Sequence, residues 1–400
     1  MLKIFEKWGI RKFIPFFVLN LKMKLPIYLD YNATTPVDKR VLDKMLPFFS
    51  ENFGNAASRS HLFGWIAQEA VEEARGQVAS LLNCQSKEIV FTSGATESNN
   101  LAIKGLFEYF YPQKKHIITV QTEHKAVLDV CQYLAKKGCE VTYIKPDSKG
   151  SISMEQIKNA IRDDTFLISV MYANNEIGTI QPIQEIGKLA RENDILFHTD
   201  ATQAVGKIEV DVVNEYIDLL SFSGHKLYAP KGIGALYVKK SSQATRMIAQ
   251  MDGGKHERGY RSGTLNVAGI VGLGEACEIS KYIDNQAIKQ LRDKLETGIL
   301  QNIFLTKVNG SIENRLPNLT NISFGGLDGE KLLNSFRDIA VSSGSACTSA
   351  SVEPSHVLKA IGVADDLAYS SIRFSLGQYT TEEEIDFTID YVKKVVESLR

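Results

Sequence analysis

The chain has 400 residues, 44% hydrophobic and 23% charged, the balance of an ordinary soluble globular protein and more than one hydrophobic core usually organises, so two domains are expected. A net charge of −1 gives no global attraction to nucleic acid or acidic membranes, so direct partners of either kind are not expected. Five cysteines, an odd number with no CxxC pair, do not read as a disulfide framework or a zinc cage, and a reducing compartment is expected.

Residues 1–22 form a basic extension, with five Lys or Arg against Glu6 alone. Its apolar run, Ile14 to Leu21, is far shorter than the ~20 residues of a membrane span. No small-residue cleavage site follows, so it does not read as a secretory signal. Two readings remain. Either Met23 is the start, since Met23-Lys24-Leu25-Pro26 leads into the strand-like Ile27-Tyr28-Leu29, or the stretch is a mitochondrial-type presequence. The expected location is the cytoplasm in the first case and the mitochondrial matrix in the second.

From about residue 85 to 240, short apolar runs alternate with amphipathic segments. Strands are expected at Glu88–Thr92, His116–Val120, Glu140–Ile144, Phe166–Tyr172, Ile195–Thr199, Leu219–Ser223 and Gly234–Val238. Helices are expected at Glu97–Phe110, Ala126–Lys137, Met154–Arg162 and Ile183–Glu192. This alternation predicts an α/β fold with a mainly parallel sheet flanked by helices, in which ligands bind beyond the carboxyl ends of the strands. After Gly274 a long charged helical stretch runs to about Gln301, followed by strand-like Thr320–Phe324, a helix near Gly329–Phe336 and strand-like Ser371–Leu376. The expected division is a large domain over 36–280 and a smaller α+β domain built from 23–35 and 281–400.

The residues that follow the strands carry the chemistry. After Thr92 comes Ser93-Gly94-Ala95-Thr96-Glu97-Ser98-Asn99-Asn100, small residues at a helix start; this suits a phosphate or a plain capped helix equally well. His124 stands after the second strand, placed to stack on a flat cofactor or to form an ordinary structural hydrogen bond. Asp200 ends a buried run, where a carboxylate needs a cation, and Gln203 follows one turn later. Lys226 closes Ser221-Phe222-Ser223-Gly224-His225-Lys226, a costly place for an amine unless it is neutralised or used covalently, as in a Schiff base. Cys84, Cys131, Cys139 and Cys277 sit among apolar or helical residues and read as small buried hydrophobes. Cys347 differs. It lies in ten small residues, Ser342 to Ser351, which predict a loop carrying either a nucleophilic thiol or an incidental exposed one. Arg373 shares a strand face with two serines and is solvated, paired, or a bidentate clamp for a carboxylate. No His, Cys and carboxylate cluster has metal-ligand spacing.

Together, TSGATESNN (92–100), EHKAVLD (123–129), NNEIG (174–178), DATQAVGK (200–207), SFSGHK (221–226), HERGYRSGT (256–264) and SSGSACTSAS (342–351) resemble the cysteine desulfurases. That family belongs to the class V aminotransferase group, with the fold type I architecture of pyridoxal-phosphate enzymes. The resemblance runs in order from Leu25 to Arg400, and the cysteine segment is similar to the housekeeping, iron–sulfur-cluster-assembly branch. It implies pyridoxal 5'-phosphate held on Lys226, with Asp200 at the pyridine nitrogen and His124 stacked on the ring. Asn175 and Gln203 would lie near the ring oxygen, and Ala95, Thr96, Ser223 and His225 at the phosphate. Thr264 would reach the phosphate of a neighbouring subunit, making a homodimer. Arg373, with Asn32 and Asn175, would bind L-cysteine, whose sulfur passes to Cys347 as a persulfide while L-alanine leaves. The implied acceptors are an iron–sulfur scaffold protein and a tRNA-thiolation relay. No intrinsic metal is implied, although Cys347 could transiently ligate a cluster on a partner.

Three departures stand out. Lys255 replaces a glycine usual in the family, Asn32 replaces a commoner serine, and the sequence stops at Arg400, where housekeeping members continue into a tail that helps dock the scaffold. Rival readings are a selenocysteine lyase or other class V aminotransferase-type enzyme, and a catalytically silent scaffold.

Overall fold

The computed structural model describes residues 23–343 and 354–400. The basic extension, 1–22, and the segment 344–353 with Cys347 lie outside the described residues.

Twelve strands are described: β1 Ile27–Tyr28, β2 Ile89–Thr92, β3 His116–Val120, β4 Glu140–Ile144, β5 Thr165–Ser169, β6 Leu196–Asp200, β7 Leu219–Ser223, β8 Gly234–Val238, β9 Thr306–Val308, β10 Leu319–Phe324, β11 Ile339–Ala340 and β12 Ser371–Ser375. The large sheet has the order β2-β8-β7-β6-β5-β3-β4. Its internal pairs are parallel except those of β8, which runs antiparallel to both β2 and β7. Every residue of β3, β5, β6, β7 and β8 is buried, as expected for strands covered on both faces. Successive side chains point to opposite layers: Ile118, Ile168, Phe197 and Leu220 join one core, while Ile117, Leu167, Leu196 and Leu219 join the other.

The helices follow from their stripes. In Ile183–Glu192 the buried positions are Ile183, Ile186, Gly187, Leu189 and Ala190, one face of a 3.6-residue period. Val267–Ser280 is buried on almost every side and packs so closely on the helix Leu62–Leu81 that a Cβ on Gly274 would come within 2.6 Å of the Ala74 Cα. The charged stretch read as one helix to Gln301 is in fact two. The second, Asn285–Asn302, begins at Asp284, whose carboxylate accepts from the Ala287 amide and caps it.

A third core lies under a three-stranded antiparallel sheet, β12-β10-β9, and a parallel pair, β1-β11. The helices Asn285–Asn302 and Glu382–Leu399 cover it. An isolated bridge between Asp30 and Ser375 brings the chain after β1 beside β12. This places Asn32 and Arg373 facing the carboxyl ends of the large sheet. Among the described residues no helix is long and apolar enough to cross a membrane.

Candidate active site

A cleft of about 450 Å³ opens where the strands β2, β3, β5, β6 and β7 end. Ala95, Thr96, His124, Asn175, Asp200, Gln203, Ser223, His225 and Lys226 line it from the large sheet, and Asn32 and Arg373 from across the opening. Eleven of the thirteen residues singled out in the sequence therefore share one cavity. Thr264 is exposed and lies outside this chain's own cleft. Cys347 falls outside the described residues.

At one end, β2 turns into the helix Ala95–Phe110 through Gly94, whose φ of +151° is glycine territory. A Cβ there would sit 3.2 Å from the Ser223 hydroxyl, and a Cβ on Gly234 would strike the Gly94 Cα at 2.6 Å. The loop is thus drawn tightly onto β7 and β8, leaving a cradle of main-chain amides, Ser223 and His225. His225 is neutral at physiological pH, because burial and then the nearby Lys226, Lys231 and Lys207 charges push it down to about 4. Its Nδ1 is 3.1 Å from the Thr34 hydroxyl. Glu97 also reaches the cleft, accepting from the Ser93 amide at 2.7 Å and from Arg261 Nε at 2.8 Å. Its carboxyl is held below the usual range; burial opposes this, but the bonds from Arg261 and Ser93 outweigh it.

Asp200, at the end of β6, is 6% exposed. Asn99 Nδ2 donates to its Oδ2 at 2.8 Å and the Thr202 amide to its Oδ1 at 3.0 Å. The Thr202 hydroxyl, also on the cleft wall, is buried with no hydrogen-bond partner among the described residues. His124 caps the helix Lys125–Ala135, its Nδ1 accepting from the Ala126 amide. Lys226 Nζ reaches across the cleft and donates to the main-chain oxygens of Asn32 at 2.7 Å and Ala33 at 2.6 Å. Arg373 is 2% exposed, donating to Asp30 Oδ1 at 2.6 Å and to the Asn175 oxygen at 3.0 Å. Its Nε is buried without a partner among the described residues. No cluster of metal-ligating side chains occurs among the described residues.

These groups fit a flat cofactor with a phosphate: small residues at a helix start, a neutral imidazole, a buried carboxylate, an amine and a guanidinium all line one cleft. Four residues of this arrangement escaped the reading of the sequence, namely Asp30, Glu97, Asn99 and Lys207. Lys207 donates to Gln203 Oε1 at 2.7 Å and to Asn32 Oδ1 at 3.3 Å, behind the cleft wall. Of the cysteines read as buried, Cys131, Cys139 and Cys277 are, whereas Cys84 is half-buried.

The family model for class-V aminotransferases matches residues 27–387. The chain is 58% identical to the cysteine desulfurase IscS of Pasteurella multocida over 383 residues, covering 94% of each. It is 54% identical to that of Anaeromyxobacter dehalogenans over 381 residues, again covering 94% of each. Among solved structures, a NifS-like protein superposes with a TM-score of 0.87 at 38% identity, covering 94% of this chain and 100% of that one. SspA in complex with cysteine gives a TM-score of 0.80 at 43% identity, covering 89% and 100%. The parallel sheet, the cleft at its strand ends and these likenesses agree: the chain belongs to the class-V aminotransferase family, among its cysteine desulfurases.

Proposed function

We propose that the chain takes sulfur from L-cysteine, releasing L-alanine, and holds it as a persulfide on Cys347. The observation that carries this reading is the convergence of Lys226, Asp200 and Arg373 on one cleft. Pyridoxal 5'-phosphate fits that cleft, and when bound it supplies an electron sink for the pair released at the substrate Cα. Asp200, steadied by Asn99 and the Thr202 amide, would hold a proton at the ring nitrogen. With the cofactor bound, His124 would lie against its ring, Asn175 and Gln203 would border the ring oxygen, and Ala95, Thr96, Ser223 and His225 would receive the phosphate; all of them line the cleft.

Arg373 grips the substrate carboxylate with its planar fork, and Asn32 and Asn175 complete that wall. The Lys226 amine takes the Cα proton and later returns one. The Cys347 thiolate attacks the substrate sulfur. The bond from Cβ to sulfur breaks, its electron pair stays with Cβ, and protonation there makes the alanine methyl group. Sulfur leaves Cys347 for an acceptor such as an iron–sulfur scaffold protein or a tRNA-thiolation relay.

A homodimer is part of this reading. Phe49, Phe53, Phe63 and Trp65 are 62%, 64%, 49% and 53% exposed, with the Phe53 and Phe63 rings 5.3 Å apart, a patch that suits a second copy. Thr264 would then serve the neighbour's phosphate. The cytoplasm is the proposed location. The test is a mass measurement on the peptide bearing Cys347 after incubation with cysteine, where one added sulfur is expected. Alanine release without that sulfur would overturn the persulfide step.

A further inference from the structure

Lys207 lies one turn beyond Gln203 in the segment that follows β6, half-buried along its stem with its amine enclosed. Three charged groups bear on it or on its bonding partners: Lys226, Arg373 and, through Arg373, Asp30. The polarity of the two amides it meets is fixed independently. Gln203 Nε2 donates to the Asn32 main-chain oxygen at 3.0 Å, so Gln203 Oε1 must face the other way. Asn32 Nδ2 points to the Asn175 oxygen at 3.3 Å, and Asn318 Nδ2 donates to Asn32 Oδ1 at 2.9 Å, so Oδ1 is the atom turned toward Lys207. The Lys207 amine therefore meets two acceptors, and it has N–H groups for both whether protonated or neutral. Burial, with the Lys226 and Arg373 charges, pushes its pKa well below the ordinary lysine value.

The consequence reaches Lys226. Its amine rests on the main-chain oxygens of Asn32 and Ala33, and the Asn32 oxygen is the same atom that Gln203 Nε2 holds. Without a donor at 207, Gln203 Oε1 is left buried and unsatisfied, an unfavourable arrangement. Turning the amide over would press its oxygen against the Asn32 oxygen. Either way the carbonyl that seats Lys226 loses its fixed place.

We propose that Lys207 is a positioning residue, locking Gln203 and Asn32 from behind so that the Asn32 carbonyl seats the free Lys226 amine, the form that takes the Cα proton, in register. This rests on the reading that Lys226 carries pyridoxal phosphate. The test is a pH titration of the visible absorption band of the purified holoenzyme, alongside kcat/KM for cysteine, in wild type, Lys207→Met, Lys207→Gln and Lys207→Arg. The Met variant is expected to shift the apparent pKa of that band by about half a unit or more and to lower kcat/KM roughly tenfold, the scale of one lost hydrogen bond. Lys207→Arg, which keeps N–H donors, restores most of both. Should the Met variant not fold, Lys207→Gln, whose amide N–H groups sit on a shorter stem, must show a smaller shift in the same direction. A wild-type titration in whichever of these two variants folds would overturn the inference alone. Wild-type protein without a borohydride-sensitive visible band would overturn the cofactor reading, and this inference with it.

Discussion

Ser342 and Arg373 pair through their main chains, the Arg373 amide donating to the Ser342 oxygen at 2.7 Å. The residue that faces the cleft thus anchors the start of the segment leading to Cys347. The far end is anchored too: Ser355 bonds Glu176, and His356 Nε2 lies 3.0 Å from the Glu123 oxygen, next to Asn175 and His124 respectively. Both ends of the stretch therefore stand at the rim of the site. Cys347 is five residues from Ser342, a reach of up to ~17 Å for extended chain. Replacing Cys347 by serine should abolish alanine and sulfide release from cysteine and leave the visible band intact. Turnover surviving in that variant, followed by alanine release, would sink the persulfide mechanism.

Arg373 makes a second prediction, because its fork is already oriented by Asp30 and the Asn175 oxygen. Arg373→Lys keeps the charge and loses the plane. Charge-assisted hydrogen bonds carry about 1.5–3 kcal/mol, so KM for cysteine should rise roughly tenfold to a hundredfold, with a smaller change in kcat. Asp30→Asn, which leaves the guanidinium in place but removes its counter-charge, should show a milder rise. Steady-state kinetics decide this, and an unchanged KM in Arg373→Lys would remove Arg373 from substrate binding.

How much of this could be read from the residues alone depended on where each constraint came from. β3, β4, β7 and β8 fell where expected, because each is a short run rich in aliphatic, aromatic or β-branched residues. β6 extends one residue past the expected Thr199, since Asp200 still pairs with Ser221. The first two turns of the helix Val267–Ser280 escaped because burial on nearly all sides leaves no periodic stripe. Asp200 and Lys226 were legible for a physical reason: a charge at the end of a buried strand needs a purpose. Asp30 and Asn99 were not, since each acts on a residue brought to it by the fold, nor was Lys207, whose bond to nearby Gln203 gains meaning only from the distant Asn32. Asn99 and Asp200 are 101 positions apart, and Asp30 and Arg373 are 343 apart.

Lys255 occupies a turn that the sequence marked as unusual, and its φ of +55° is left-handed. Gly253, Gly254, Glu257, Arg258 and Gly259 around it are also positive in φ. The buried pair of Arg75 and Glu257, with Nη1 to Oε2 at 2.7 Å, fastens this run to the helix Leu62–Leu81. A left-handed lysine costs about 1–2 kcal/mol, and the extra freedom of glycine in the unfolded chain offsets about 0.4–1 kcal/mol of that. Lys255→Gly should therefore stabilise the protein by roughly 0.5–1 kcal/mol. A urea midpoint equal to or below the wild type's would show that the turn carries no such strain.

His198 supplies the pH prediction. It lies on β6, two residues before Asp200, fully buried, its ring nitrogens 2.8 Å from the Ser169 hydroxyl and 3.0 Å from that of Ser221. Burial pushes its pKa from 6.5 down to about 4, against the smaller upward pull of Asp200. Between those two values the unfolded chain binds the proton and the folded one does not, so stability falls as the pH drops from 6.5 toward 4. A single such group contributes at most about 1.4 kcal/mol per pH unit across that window. His225, also lowered to about 4, acts in the same direction, so the wild type alone does not isolate His198. His198→Asn removes the imidazole and should lose less stability than wild type between about pH 7 and pH 5, even if it starts lower. Parallel urea midpoints at the two pH values measure the difference, and equal losses in both proteins would mean that His198 is already protonated in the folded state.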